Sequence, residues 1–423
     1  MHSRSIWRPY TQERIAAPPV ELVKASGAHL FTKSGQKLLD GISSWWLITH
    51  GHCHPRITEA IASQAAKMDQ VIFANFTHEP AEELAEQLIQ ITPPDLTRVF
   101  LSDNGSTAVE VALKMALQAC SQLGQPNKQM FVTFEHAYHG DTVGAMSVSG
   151  DSVFNRPYGK TLFQTIKAKQ TTLSTAPTKD YVSDFEHIIE EHHEEIAGVI
   201  LEPLIQGAGG MIFWPPDAVK QIASLCHKHD VLLIFDEVMT GFGRTGKMLA
   251  LDHIGVTPDF LCLSKGLTGG SLPLSVTMTT EKIYGAFLDS KKDKMFFHGH
   301  SFTGNPISCA AAVANFQVFK ENNFTRNLEL IEAAHNRSLE KLKHKLSIRD
   351  ARVCGTVAAF NLPTESDSYL SSALDRLTTV TLESGLFIRP LGNTIYLMPP
   401  FCTTQDEVET AWSVIGDAIL KRL

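Results

Sequence analysis

No stretch of the 423-residue chain approaches the roughly 18 consecutive apolar residues that a membrane-crossing helix requires. Its first residues, Met1-His2-Ser3-Arg4-Ser5-Ile6-Trp7, also lack the apolar core of a secretory signal, so the expectation is a cytoplasmic protein with no membrane partner. Positive charge is in deficit: 37 Lys and Arg stand against 45 Asp and Glu, a formal net charge of −8. A duplex-binding surface needs a basic footprint, which excludes nucleic acid as an expected partner. Cysteine is sparse and unpatterned. The seven cysteines, at positions 53, 120, 226, 262, 309, 354 and 402, are odd in number and form no Cys-x-x-Cys pair, which argues against a disulfide or zinc framework. There is no internal repeat and no long low-complexity tract; Gln170 to Lys179 and the charge run Asp289 to Lys294 read as solvated surface.

What is present is ample apolar material, 43% of the chain against 19% charged, enough for two or three units at about 150 residues each. In the middle of the chain, short runs rich in Val, Ile, Leu and Phe alternate with helical patterns, as parallel βαβ architecture requires. The strand candidates are Arg98–Ser102, Met130–Phe134, Ala197–Leu201, Val231–Phe235, Phe260–Ser264 and Ser275–Thr280. Thr107–Ala119 and Asp217–His229 read as amphipathic helices between them. The last third returns to long helical patterns, Ile307–Lys320 and Asn327–Leu346, followed by short strands, Val357–Leu362 and Thr394–Met398. That change predicts a second, smaller α+β unit.

In an open α/β sheet, ligands bind beyond the carboxyl ends of the strands. Five of the six strand candidates run straight into a polar or glycine-rich signal there: Asp103-Asn104-Gly105-Ser106, Tyr138-His139-Gly140-Asp141, Glu202, Asp236-Glu237 and Lys265. Each alone is ordinary loop chemistry; together they describe one site.

Asp236 and Lys265 are separated by about one βαβ unit, so neighbouring strands would deliver both to one crevice. Burial lowers a lysine's affinity for its proton and makes it a nucleophile able to form a Schiff base. A carboxylate nearby is what a pyridine nitrogen of pyridoxal phosphate needs to stay protonated. A plain buried Lys–Asp ion pair would use the same spacing. Gly105 and Ser106 precede a helix whose exposed N–H groups suit a phosphate, although Thr107-x-x-Glu110 also reads as a plain capping box. Tyr138 offers a flat face for ring stacking or is a half-buried loop tyrosine. Arg389, closing an apolar segment, is either a carboxylate grip or an exposed arginine. Gly299 to Pro306, with Ser301, is a second glycine-bearing element or simply a turn.

Two further patterns point elsewhere. Gly241-Phe242-Gly243-Arg244-Thr245-Gly246 matches the G-x-G-x-x-G of dinucleotide sites and would suit a nicotinamide-dependent oxidoreductase. Five residues separate it from the preceding strand, however, and no strong helix opens at its third glycine. His50, His52 and His54 would share one face of an extended segment, but Gly51 and Pro55 interrupt it and no carboxylate is near in sequence, so no metal is expected.

Asp236-Glu237-Val238-Met239-Thr240-Gly241-Phe242-Gly243-Arg244-Thr245-Gly246, followed by Leu263-Ser264-Lys265-Gly266-Leu267, resembles the signature of class III pyridoxal-phosphate aminotransferases. The resemblance spans nearly the whole chain. It implies an α/β, type I aminotransferase fold: a mostly parallel central sheet with helices on both faces and a smaller α+β domain. It also implies a homodimer with shared active sites. The corresponding division is an N-terminal arm (1–55), a large cofactor-binding domain (56–310) and a C-terminal small domain (311–423). Finer features resemble the biotin-synthesis branch of that family: Trp7-Arg8-Pro9-Tyr10-Thr11, Ser43-Ser44-Trp45-Trp46, Gln206-Gly207-Ala208-Gly209-Gly210 and Ile388-Arg389-Pro390. That branch implies 8-amino-7-oxononanoate as acceptor and S-adenosylmethionine as donor; a general ω-amino-acid aminotransferase using a 2-oxo acid is the alternative. By this resemblance Lys265 carries pyridoxal 5'-phosphate, Asp236 meets its pyridine nitrogen, and Tyr138 stacks on the ring. Gly105, Ser106 and the partner chain's Ser301 hold the phosphate. Tyr10, Trp45, Gly299, Arg389 and Tyr396 line the substrate pocket, and Arg244 reaches the substrate. Ser301 stands where threonine is expected and Leu391 where an aromatic is. Ala208 replaces a glutamate found in relatives acting on ornithine, acetylornithine or 4-aminobutyrate.

Overall fold

A computed structural model of the chain describes residues 5–321, 324–363 and 374–422. The first four residues of the expected arm lie outside the described residues. The central runs of Val, Ile, Leu and Phe form one seven-stranded sheet. Its strands are β1 (Leu96–Ser102), β2 (Met130–Phe134), β3 (Ile166–Ala168), β4 (Ile196–Leu201), β5 (Leu232–Asp236), β6 (Phe260–Leu263) and β7 (Ser275–Thr280), in the spatial order β1-β7-β6-β5-β4-β2-β3. Every residue of β4 and β5 is buried. Strands covered on both faces need no polar alternation, which is why they read as unbroken apolar runs. Along β5, Leu233 and Phe235 pack with Tyr181, Phe185 and Ile222 from helices on one face. Leu232 and Ile234 pack with Val109, Ala112 and Leu113 of the helix Gly105–Gln122 on the other.

The sheet departs from the expected pattern in two ways. β3, an Ile-Lys-Ala edge strand of three residues, is too short and too polar to show any periodicity, and it has no counterpart among the sequence candidates. β7 runs antiparallel to both β6 and β1, whereas the remaining pairs, β6–β5, β5–β4, β4–β2 and β2–β3, are parallel. A parallel return needs a crossover of about a dozen residues or more, usually helical. The connection from Ser264 to Leu274 holds only the short 3-10 turn Lys265–Thr268, so the chain comes back reversed.

The chain ends build the remaining layers. Leu22–Ser26, His29–Thr32 and Lys37–Asp40 form a sheet with Leu386–Phe387, which pairs parallel to Lys37–Asp40. N-terminal and C-terminal segments therefore share one sheet. Arg349–Cys354, Val357–Asn361 and Thr394–Leu397 make an antiparallel three-stranded sheet, covered by the helices Phe324–Lys343 and Gln405–Arg422 around Trp412 and Phe360. His335 is buried there with both ring nitrogens engaged: Trp412 Nε1 donates to Nδ1 at 2.9 Å and Nε2 donates to the Thr356 carbonyl at 3.2 Å. Burial pushes its pKa down to about 3, so the ring is neutral. No described helix is long and apolar enough to cross a membrane.

Because Phe235 is wholly buried at the centre of this stack, Phe235→Ala is expected to cost about 3–5 kcal/mol. Urea unfolding of the variant against the parent measures it; a loss below about 1 kcal/mol would mean that the sheet's centre is not close-packed.

Candidate active site

The carboxyl ends of β1, β2, β4, β5 and β6 open on one cavity of ≈ 490 Å³, lined among others by Gly105, Ser106, Tyr138, Glu202, Asp236 and Lys265. The convergence expected from the strand ends is present in space. Lys265 follows β6 directly, has a positive φ of 45°, and holds its ammonium 4.8 Å from the centre of the Trp46 ring. Burial brings its pKa down to about 8; Asp236 and Glu202 oppose the fall and Arg244 adds to it. Asp236, also buried, accepts from Val238 N–H at 3.0 Å and pairs with His139 Nδ1 at 2.7 Å. A carboxylate only accepts, so Nδ1 carries the hydrogen. Glu202 ties two loops together, accepting from Tyr138 N–H at 3.1 Å and Gly207 N–H at 2.9 Å. Burial lifts its carboxyl to about 7.

The anion end is built by the helix that follows β1. It starts at Gly105, two residues before the expected Thr107. The capping box is Asn104 with Thr107: Asn104 Oδ1 accepts from Thr107 N–H at 3.1 Å and Asn104 N–H donates to Thr107 Oγ1 at 3.1 Å. Glu110, expected to complete the cap, reaches across to Gly144 N–H at 2.7 Å and Ala145 N–H at 3.3 Å, and so caps the short helix Val143–Ser147. The first N–H groups of the long helix are thereby left facing the cavity. Glycine is required at both walls of this cradle. A Cβ on Gly105 would lie 2.6 Å from Val238 Cγ1, and one on Gly140, whose φ is +130°, would collide with Ser106 Oγ.

Lys265, Trp46, Leu47 and Tyr138 also line an adjoining chamber of ≈ 300 Å³ whose other walls include Tyr10, Trp45, Phe154, Ala208, Arg389 and Leu391. Tyr10 meets Trp45 edge-on at 5.5 Å and Phe154 at 5.6 Å, and its hydroxyl donates to Asp141 Oδ2. Tyr10 and Tyr138 hydroxyls lie 3.5 Å apart, and burial first, then this contact, raises the Tyr138 phenol above its usual range. The Arg389 guanidinium rests over the Trp45 ring at 4.9 Å.

Three residues expected at the pocket, Tyr396, Arg244 and Gly299, stand elsewhere in this chain, as does Ser301, which is expected to arrive from the partner chain. Tyr396 is one layer back, buried behind Trp46 and accepting from its Nε1 at 3.0 Å. Arg244 is fully buried, lines neither chamber, and donates to Ser43 Oγ at 3.1 Å, the Pro399 carbonyl at 3.3 Å and the Ile48 carbonyl at 2.7 Å. These acceptors are 155 to 201 residues distant in sequence, beyond the reach of motif spacing. Gly299 and Ser301 lie on an exposed loop away from both chambers; Ser301's carbonyl accepts from Gln70 Nε2 at 3.1 Å. Conversely Trp46, His139, Glu202 and Phe154 belong to the site without having been singled out as binding residues. For Glu202 and His139 the signal exists, a polar residue at a strand's end; Trp46 stands in the Ser43-Ser44-Trp45-Trp46 motif of the resemblance, and for Phe154 there is none.

The two distracting motifs resolve into structure. After Gly246 the next helix is the four-residue Leu251–Ile254, whose first N–H groups are taken by the Glu237 carboxylate at 2.6 and 2.8 Å, leaving them no pyrophosphate to bind. His52 pairs with Asp40, while His50 packs against Phe319 and Phe401.

An amine of lowered basicity, a carboxylate at the cavity wall, a tyrosine beside them and a helix N-terminus walled by glycine fit pyridoxal phosphate: its carbonyl, ring nitrogen, ring face and phosphate each find a matching group. The family model Aminotransferase class-III matches residues 10–419. The chain is 44% identical over 428 aligned residues to the adenosylmethionine-8-amino-7-oxononanoate aminotransferase of Synechococcus elongatus, covering 98% of each. The solved structure of the protein of that name from Methanocaldococcus jannaschii superposes with a TM-score of 0.93 at 37% identity, covering 99% of this chain and 97% of that one. An amine transaminase from an uncultivated Pseudomonas species, solved with pyridoxal phosphate bound, superposes at 0.92 with 31% identity over 99% of both chains. The fold is the type I aminotransferase fold.

The state of Lys265 sets a pH dependence. Its amine titrates near 8 when folded and near 10.5 when exposed, so between those values unfolding takes up a proton and stability rises with pH. In cofactor-free protein, Lys265→Met is expected to exceed the parent in stability by roughly 1–3 kcal/mol at neutral pH. The gap should close as pH climbs from about 8 towards 10.5. Urea titrations of both proteins across that range check it, and a gap independent of pH would refute the lowered value.

Proposed function

The chain belongs to the class III aminotransferases, and from that premise we propose that it aminates 8-amino-7-oxononanoate to 7,8-diaminononanoate in biotin synthesis, with S-adenosylmethionine as amino donor. The observation that carries the reading is the aromatic chamber beside Lys265, with Arg389 stacked on Trp45 in its wall. Ala208, in the same chamber, presents no carboxylate to that arginine. A long aliphatic keto acid with a distal carboxylate matches a largely aromatic and aliphatic wall in which Arg389 supplies a cation besides Lys265. The names of the relatives support the same reaction.

Pyridoxal phosphate, when bound, supplies a carbonyl that captures an amine and a ring that accepts the electron pair left on the neighbouring carbon. Lys265 Nζ is the group to hold that carbonyl. With its pKa near 8 it also takes up and returns a proton at close to neutral pH. Asp236, oriented by His139 Nδ1, would meet the ring nitrogen, and Tyr138 would cover the ring. N–H groups at Gly105 and Ser106 would hold the phosphate. Tyr10, Trp45 and Phe154 keep water from the reacting carbon, and Arg389 orients the acceptor by its carboxylate.

We read the protein as a cytoplasmic homodimer. Phe76, Phe297 and Phe302 stand more than half exposed, on segments joined by Asn305 Nδ2 donating to Gln70 Oε1 at 2.8 Å. A second copy covering this surface brings the partner's Gly299 and Ser301 to the site, the latter to the phosphate. Residues 1–55 and 311–423 then act as the smaller unit against the large cofactor-binding domain, 56–310.

Purified enzyme loaded with the cofactor is expected to form 7,8-diaminononanoate from 8-amino-7-oxononanoate and S-adenosylmethionine. Lys265→Ala should abolish turnover, and Arg389→Ala should raise the acceptor KM roughly 10- to 100-fold with little change in donor KM. Product is followed by mass spectrometry. Turnover with 2-oxo acids but none with 8-amino-7-oxononanoate sinks the assignment, while turnover with lysine in place of S-adenosylmethionine moves only the donor.

A further inference from the structure

Four consecutive residues that are not glycine, Ser43, Ser44, Trp45 and Trp46, have positive φ values of 53°, 47°, 75° and 73°. In the left-handed region each Cβ crowds the following carbonyl oxygen, so single residues visit it and runs do not, unless the surroundings impose them. The turn makes two neighbouring indoles serve the same site. In a strand they would point to opposite faces; here Trp46 lies over the Lys265 ammonium and Trp45 beneath the Arg389 guanidinium.

A buried carboxylate and a buried guanidinium hold the run from two sides. Asp40, fully buried at the end of the strand Lys37–Asp40, lines neither chamber. Its Oδ1 accepts from Ser44 N–H at 2.9 Å and from Ile42 N–H at 3.4 Å. Its Oδ2 accepts from Ser44 Oγ–H at 2.8 Å and pairs with His52 Nε2 at 2.8 Å. Both oxygens are thus committed to the turn and to the histidine behind it. From the other side, Arg244 donates to Ser43 Oγ and to the Ile48 carbonyl just past the turn. Hydrogen bonds to a buried charge are the strong kind, and here they are spent on backbone in a conformation it would otherwise leave.

We propose that Asp40 is a positioning residue for carboxylate recognition: by holding the left-handed Ser43–Trp46 turn it fixes the indole on which Arg389 rests. The inference rests on the reading of Arg389 as the acceptor's carboxylate site and adds the element that orients it. Asp40 itself touches neither substrate nor cofactor.

The test uses the cofactor-loaded enzyme and nonanoate, a carboxylate of the acceptor's length with no amine, titrated by quenching of tryptophan fluorescence. Parent enzyme is expected to bind it saturably and Arg389→Ala to lose it. Asp40→Ala should keep the visible absorbance of the bound cofactor, yet weaken nonanoate and raise acceptor KM at least about tenfold, since small misplacements of an orienting group are costly. The kcat at saturating acceptor should change far less. Ser44→Gly in the Asp40→Ala background should recover part of the affinity, because glycine takes positive φ without crowding. Undiminished nonanoate binding by Asp40→Ala overturns the proposal, as does an equal loss for nonanol, which lacks the carboxylate. Should Asp40→Ala fail to fold, Ser44→Ala removes only the hydroxyl bond and must weaken nonanoate in the same direction; no change there is equally fatal. If Arg389→Ala binds nonanoate as well as the parent does, it is the carboxylate reading of Arg389 that fails. A parent that forms no 7,8-diaminononanoate but binds nonanoate through Arg389 costs the functional reading alone.

Discussion

The site turns on one partly buried primary amine held beside carboxylates. Lys265 is enclosed where β6 ends, with an indole over its ammonium and with Asp236 and Glu202 supplied by β5 and β4. Burial alone would drive the amine neutral; the two carboxylates restrain it, and the balance lies near pH 8. That balance requires both acids to be delivered from neighbouring strand ends at fixed distance, which a parallel sheet does and a loop cluster does poorly. The sheet's central strands β4 and β5 are correspondingly buried at every residue.

The same constraint explains how the interior treats its other charges. Asp236, Glu202, Glu237, Asp40 and Arg244 are all buried, and each is tied to backbone groups of a neighbouring element. Asp236 and Glu202 face the cavity as well; Glu237, Asp40 and Arg244 do not. Glu237, next to a site residue in sequence, points the other way and holds the start of the helix Leu251–Ile254. Adjacent acids in one motif therefore do different work, because alternate side chains of an extended segment face opposite sides of the sheet.

Much of this is legible in the sequence, for reasons that are physical. Strands covered on both faces appear as uninterrupted Val, Ile, Leu and Phe runs, and an open parallel sheet puts their polar ends together, so Asp236, Lys265, Tyr138 and Gly105 can be named from position alone. Reversal of β7 is legible in principle too, since the connection before it is too short for a crossover. The Ser43–Trp46 turn is not. No glycine marks its positive φ values, an aspartate four residues ahead of Ser44 carries no such signal by itself, and Arg244 acts from some 200 residues away. Arg244 shows the converse: a glycine-rich neighbourhood suggests a ligand contact, while its terminal nitrogens donate to Ser43 Oγ and to carbonyls of the N-terminal and C-terminal segments.

The two ends of the site are built on opposite principles. Where the long helix begins, the wall is backbone N–H groups, so the decisive residues are those that leave room, Gly105 and Gly140, where any side chain would collide with Val238 or Ser106. The adjoining chamber is walled instead by large side chains, Tyr10, Trp45, Phe154 and Arg389. The first kind of site tolerates little change and serves whatever reaction uses the cofactor. The second can be retuned by any residue that shifts an indole by a fraction of its width. Within one fold, the cavity at the strand ends is therefore shaped by glycines, and the chamber beside it by the N-terminal turn and the C-terminal segment that meet over it.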